Sequence, residues 1–124
     1  MITMDTSAWI EYFKDSKKAD KVENFLNQEE IITPSVVLIE LSCKSYKEGW
    51  DFNEHIKFIK SKSMIIGMKE ETIMKCGKIY YEERKKKPSF GIIDAVILTI
   101  AREYDSKIIT QDNDFRDLKE AIII

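Results

Sequence analysis

Short apolar runs, too brief to be helices, recur along this chain between stretches of helical periodicity. That alternation restricts the fold more than any other feature. Residues 1–4, 31–32, 63–67, 107–110 and 121–124 read as strands. Thr6-Ser7 opens a short helix carrying Trp9, Ile10 and Phe13, and residues 18–27 form a second with Val22, Phe25 and Leu26 at helical spacing. Thr33-Pro34 has the form of a helix start, Thr33 as N-cap and Pro34 at the first position, for a helix running to about Glu48. Further helices are predicted over 51–60, 69–86 and 92–104, with a break at Pro88–Gly91. Strands alternating with helices predict an α/β fold: a short central parallel sheet with helices on both faces, three layers in all. No repeat, low-complexity tract or linker divides residues 1–124, so a single domain is expected.

Composition narrows the partners. The chain has 20 basic and 22 acidic residues and a formal net charge of -2, which rules out a strongly basic coat and weakens any case for tight, non-specific nucleic-acid binding. An anionic substrate would need a local basic patch. The first residues lack the basic and long apolar regions of a signal peptide, and no apolar run approaches membrane-spanning length. Cys43 and Cys76 have neither CxxC spacing nor histidine partners, so two free thiols in a reducing cytoplasm are expected.

Four carboxylates stand out because each is set in apolar surroundings: Asp5 after Met1–Met4, Glu40 between Ile39 and Leu41, Asp94 between Ile93 and Ala95, and Asp112 just after Ile108-Ile109-Thr110. A buried charge is costly unless something cationic compensates it. No Lys or Arg adjoins these acids locally, so the simplest compensation is a divalent metal on hard oxygen ligands, which points to phosphate chemistry. Asp5 and Asp112 follow strands, where ligands sit in parallel sheets. Each acid also has an ordinary structural use. Asp5 and Asp112 are placed to cap helices, and Asp94 falls in a helical first turn that favours acids. Glu40 is harder to explain that way, and Asp94 shares the apolar stripe of Leu98 and Ala101.

Other chemistries fail on detail. Asp112-Asn113-Asp114 begins like a calcium loop, but the sixth position is Asp117 rather than Gly and the twelfth is Ile123 rather than Glu. His55, alone in a charged helix, reads as a surface residue. There is no GxGxxG or P-loop, no GxSxG around Ser7 or Ser35, and no zinc spacing.

Asp5-Thr6-Ser7 after the first strand, Glu40 in an early helix, Asp94-Ala95 opening a helix, and Thr110-Gln111-Asp112-Asn113-Asp114-Phe115 after a late strand together resemble the PIN-domain family. The nearest likeness is to the small VapC-type toxin ribonucleases of toxin–antitoxin pairs, and it spans essentially the whole chain. The resemblance implies a metal-dependent endoribonuclease binding one or two Mg²⁺ or Mn²⁺ ions. It makes Asp5, Glu40, Asp94 and Asp112 the catalytic and metal-binding quartet, with Asp114 and the hydroxyls of Thr6 and Ser7 accessory. Asp5 and Asp94 are assigned to direct metal contact; Glu40 and Asp112 either ligate or orient water. It also implies an RNA substrate, a small antitoxin protein partner and a homodimer built on helix faces. Trp9, Tyr12, Phe13 and Val37 are apolar candidates for such contacts, although core packing is the commoner fate of such side chains.

The basic run Arg84-Lys85-Lys86-Lys87 before the Asp94 helix, with Lys44 and Lys47 after Glu40, has two readings. Basic residues suit a helix C-terminus; they also suit a rim that contacts phosphate, for which Arg84, Lys85 and Lys44 are the candidates. Exposed aromatics for base stacking are few, so sequence preference is unreadable. Competing classes are weaker. A receiver-type signalling domain would want paired acids at the first strand end, where Thr6-Ser7 stands, and a mid-chain Asp that Ile65-Ile66-Gly67 does not offer. An aspartyl phosphatase would want an acid where Ser7 is. An RNA-processing nuclease of the same family and a catalytically silent RNA- or protein-binding module remain as alternatives.

Overall fold

Strand β1 (Ile2–Met4) is the middle of the sheet and every residue in it is buried, Thr3 with its hydroxyl bonded to that of Ser106. The structure, a computed structural model, describes residues 1–124. Strands β2 (Ile31–Pro34), β3 (Met64–Ile66), β4 (Lys107–Thr110) and β5 (Ala121–Ile123) complete a five-stranded sheet in the order β3-β2-β1-β4-β5. All four pairings are parallel, with Thr3 opposite both Ile32 and Ile108. The helices are α1 (Thr6–Phe13), α2 (Ala19–Gln28), α3 (Ser35–Glu48), α4 (Phe52–Lys62), α5 (Glu70–Lys86) and α6 (Ile92–Glu103), with a 3-10 turn at Asn113–Phe115.

The chain steps outward from β1 to β3 through α1–α4, then returns across the sheet to β4 through α5 and α6. Parallel crossovers are right-handed, so this reversal puts the two sets of helices on opposite faces. It also creates a switch point between β1 and β4, where adjacent strand ends diverge and leave a crevice.

Helix α6 is buried without interruption from Ala95 to Ala101, so it has no solvent face. It lies on β1, β2 and β4 and is covered by α5. Thr72 donates to Glu103, and Cys76 donates to Thr99, so α5 and α6 run antiparallel. Each fully buried Ile or Leu of α6 contributes about 1.5–3 kcal/mol. Both cysteines are free thiols, Cys43 exposed and Cys76 buried.

Three expectations need correction. Thr33 and Pro34 do not start α3; they finish β2, and Ser35 begins the helix. Pro34 sits at φ -59°, ψ 137°, extended, opposite Ile66. Thr33 is held in the sheet by its hydroxyl, which accepts from Trp9 Nε1 at 3.2 Å and lies 2.9 Å from Ser63 Oγ. His55 is not a free surface residue. Its ring stacks on Phe13 at 3.9 Å and meets Trp50 edge-on, and burial lowers its pKa. Trp9 and Val37 are core residues without solvent contact, and Tyr12 and Phe13 pack with Phe58. The exposed apolar side chains are others, among them Ile39 and Tyr46 on α3, and Ile73, Met74 and Tyr81 on α5.

Candidate functional site

The crevice at the switch point is built from the carboxyl ends of β1 and β4. Met4 is in register with Ile109, and the Asp5 amide donates to the Ile109 carbonyl at 3.1 Å, so Asp5 leaves the sheet beside the exit of β4. Although Asp5 holds the N-cap position of α1, its side chain makes no cap bond. Its Oδ2 instead accepts from Ser7 Oγ at 2.9 Å and Thr110 Oγ1 at 2.6 Å. Those hydroxyls also accept the amides of Gln111 (3.0 Å) and Asp112 (2.9 Å). Both hydroxyl protons are therefore committed to Asp5 while the backbone leaving β4 is fixed around it. Burial raises the Asp5 pKa most strongly; these hydrogen bonds pull it back, and the charge of Glu40 adds to the rise.

Glu40 comes from α3, where Thr6 Oγ1 donates to its Oε1. Asp94 lies in the first turn of α6, and its Oδ2 accepts the Gly91 amide at 2.8 Å. Burial pushes the Asp94 carboxyl up from 3.8 to about 7; the Gly91 bond opposes this, and the charges of Asp112, Asp5 and Glu40 add to it. Asp112 caps the 3-10 turn, its Oδ1 accepting from the Asp114 amide at 2.9 Å. Asp94, Asp112 and Asp114 each bring a carboxylate oxygen within 4.8 Å of the other two. Asp114, expected only as an accessory residue, thus lies in the tightest acidic group.

None of the ion pairs in the molecule involves Asp5, Glu40, Asp94, Asp112 or Asp114. Carboxylates so close in a part-buried crevice repel one another unless protons or a cation intervene. Hard oxygen donors without a Lys or Arg partner fit Mg²⁺ or Mn²⁺.

The basic candidates lie differently from the acids. Arg84 donates to the Tyr80 hydroxyl and to the Phe90 carbonyl at 3.3 Å, so much of its fork is engaged. Lys44 is paired with Glu48 at 3.0 Å. Lys85 stands 4.2 Å over the exposed ring of Tyr81.

Three residues at the site were not singled out from the sequence. Thr110 holds Asp5, Ser89 Oγ donates to Asp114 Oδ1 at 2.6 Å, and Lys87 Nζ donates to the Asp114 carbonyl at 2.6 Å. A hydroxyl ending β4 two residues before an acid was a usable signal for Thr110, and Lys87 stood in the basic run before α6; Ser89 carried none.

Comparison with solved structures bears on the fold. The VapBC2 complex of Rickettsia felis, bound to a promoter DNA fragment, matches with TM-score 0.75 at 21% identity, over 100% of this chain and 98% of that one. VapC20 of Mycobacterium tuberculosis, a toxin that cleaves the sarcin-ricin loop, matches with TM-score 0.77 at 13% identity, over 96% and 95% of the two chains. A toxin–antitoxin complex from Klebsiella pneumoniae matches with TM-score 0.74 at 17% identity, over 98% and 96%. No curated protein sequence matches the chain at a significant level. The family model of the PIN domain matches residues 2–121, nearly the whole sheet and the entire acidic crevice, and the chain belongs to the PIN-domain family.

Proposed function

We propose that this protein is a divalent-cation-dependent endoribonuclease, the toxin of a toxin–antitoxin pair, which hydrolyses RNA phosphodiester bonds. The observation that carries the reading is the carboxylate group at the switch point, which has no ion-pair partner and three of whose members converge within 4.8 Å. The solved neighbours support the toxin assignment by analogy of fold, since they include toxin–antitoxin complexes and a toxin that cleaves RNA.

Asp5, Glu40, Asp94, Asp112 and Asp114 would hold Mg²⁺ or Mn²⁺. When bound, such an ion neutralises charge on the phosphate and acidifies water at neutral pH. The chain's own residues prepare the site. Ser7 and Thr110 fix one oxygen of Asp5, Thr6 orients Glu40, and the Gly91 amide orients Asp94. These bonds hold the acids near one another before substrate arrives, so little reorganisation is left for the reaction. RNA phosphates need cations beyond the crevice. With Arg84 and Lys44 engaged internally, the exposed Lys85 and Lys86 at the end of α5 and Lys47 on α3 are candidates for that contact. The protein partner in this reading is an antitoxin, and the assembled form a homodimer. Exposed apolar residues of α3 and α5 supply surface for both.

The test is cleavage of a pool of structured and single-stranded RNAs by wild type and Asp94→Asn, with Mn²⁺, with Mg²⁺ and with EDTA. Cutting should require the ion and fall by more than about 100-fold in the variant, a direct ligand counting for more than an outer one. Equal cutting by both proteins, or cutting in EDTA, would remove the crevice from the chemistry.

A further inference from the structure

The segment between α5 and α6 reaches the acidic crevice three times in five residues. Lys87 Nζ donates to the Asp114 carbonyl at 2.6 Å, Ser89 Oγ donates to Asp114 Oδ1 at 2.6 Å, and the Gly91 amide donates to Asp94 Oδ2 at 2.8 Å. It is itself firmly built. The Phe90 amide closes a turn on the Lys87 carbonyl at 3.0 Å, with Pro88 in the position where a fixed φ favours such turns. Phe90 is fully buried with its ring centroid 5.8 Å from that of the fully buried Phe115, the neighbour of Asp114. Arg84 donates to the Phe90 carbonyl from α5. Both ends of the turn are thus anchored, and its exposed Ser89 is presented to one acid of the group.

Asp114 needs such help. It follows Asp112 closely, and mutual repulsion favours turning its carboxylate out to solvent. The Ser89 hydroxyl offers the inward position a charge-assisted hydrogen bond that the outward one lacks. We propose that the Lys87–Gly91 turn is a positioning clamp for ion binding, in which Ser89 sets the Asp114 carboxylate beside Asp94 and Asp112 and makes Asp114 a working ligand. The proposal rests on the divalent-cation reading above. Ser89 is a positioning residue here, acting only through Asp114.

Mn²⁺ affinity, read by electron paramagnetic resonance of the free ion, tests it without RNA or turnover. Ser89→Ala should weaken Mn²⁺ binding about 10-fold, the lower end of what lost outer hydrogen bonds cost metal sites. Ser89→Thr should restore it. In an Asp114→Asn background, Ser89→Ala should change nothing further. Thermal melting of each variant without metal confirms that the exposed substitution leaves the fold intact. Unchanged affinity in Ser89→Ala, or a 10-fold loss that persists in the Asp114→Asn background, would overturn the clamp while leaving the ion site standing. Absence of Mn²⁺ binding by wild type would overturn the ion site and the clamp together.

Discussion

At Asp94 the fold accepts a cost that a binding site can use. One oxygen takes the Gly91 amide, yet burial and the charges of Asp112, Asp5 and Glu40 still hold the carboxyl at about 7 rather than 3.8. Without metal, the folded chain keeps a proton that the unfolded chain has released between those two values. Stability therefore falls as pH rises through that window. The gap is worth about 1.4 kcal/mol per pH unit before screening, and the partial exposure of Asp94 reduces the total to on the order of 2 kcal/mol. The lowered pKa values of Glu11, Glu48 and Glu120 act below 4.5 and so touch only the bottom of this window. His55, depressed by burial, has the opposite sign, because its neutral form favours folding above 6.5. A comparison cancels it. Melting in EDTA at pH 5 and pH 8 should show Asp94→Asn gaining about 4–8 °C on wild type between the two conditions. A constant gap would mean that Asp94 is not held protonated. Asp5, Glu40, Asp94 and Asp112 were legible as residues because charges among aliphatic neighbours demand a reason. Ser89 was not, since a hydroxyl in a turn is common and needs none.

Among the elements, helix starts separate an acid that caps its helix from one whose side chain turns elsewhere. Asp51 precedes α4 and accepts the Glu54 amide at 3.2 Å, an ordinary N-cap. Asp5 has the same position before α1 but turns its carboxylate to Ser7 and Thr110 instead. Asp51→Ala should therefore cost about 1 kcal/mol, read as a lower urea midpoint with unchanged slope, and leave metal binding untouched. A change in Mn²⁺ affinity in that variant would contradict the separation. The elements themselves were legible from periodicity, including α6 and the break before it. The end of β2 was not: Thr33-Pro34 fits a helix start chemically, and only Trp9 and Ser63, distant in sequence, hold Thr33 in the sheet. The same limit hid the packing of His55, whose partners Phe13 and Trp50 lie in α1 and in the loop before α4.

For the molecule as a whole, the acids come from both sides of the sheet. Asp5 and Glu40 follow β1 and β2, whereas Asp94, Asp112 and Asp114 belong to the return across the sheet and the exit of β4. The parallel alternation made this meeting legible, because carboxyl ends of parallel strands share one edge; side-chain distances within it were not. A cation bound there would fasten the outward half of the chain to the returning half, and an unfolded chain, with these acids scattered, would bind it poorly. Binding to the folded state alone stabilises by about 2.7 kcal/mol at a hundredfold excess over the dissociation constant. For a domain of this size the thermal midpoint should rise on the order of 10 °C on moving from EDTA to saturating Mn²⁺. The rise should be larger at pH 8 than at pH 5, because protons on Asp94 compete with the ion at the lower pH. It should vanish in Asp94→Asn. A rise that survives in the variant would place the stabilising ion elsewhere on the molecule, and the crevice would lose its claim to be the metal centre.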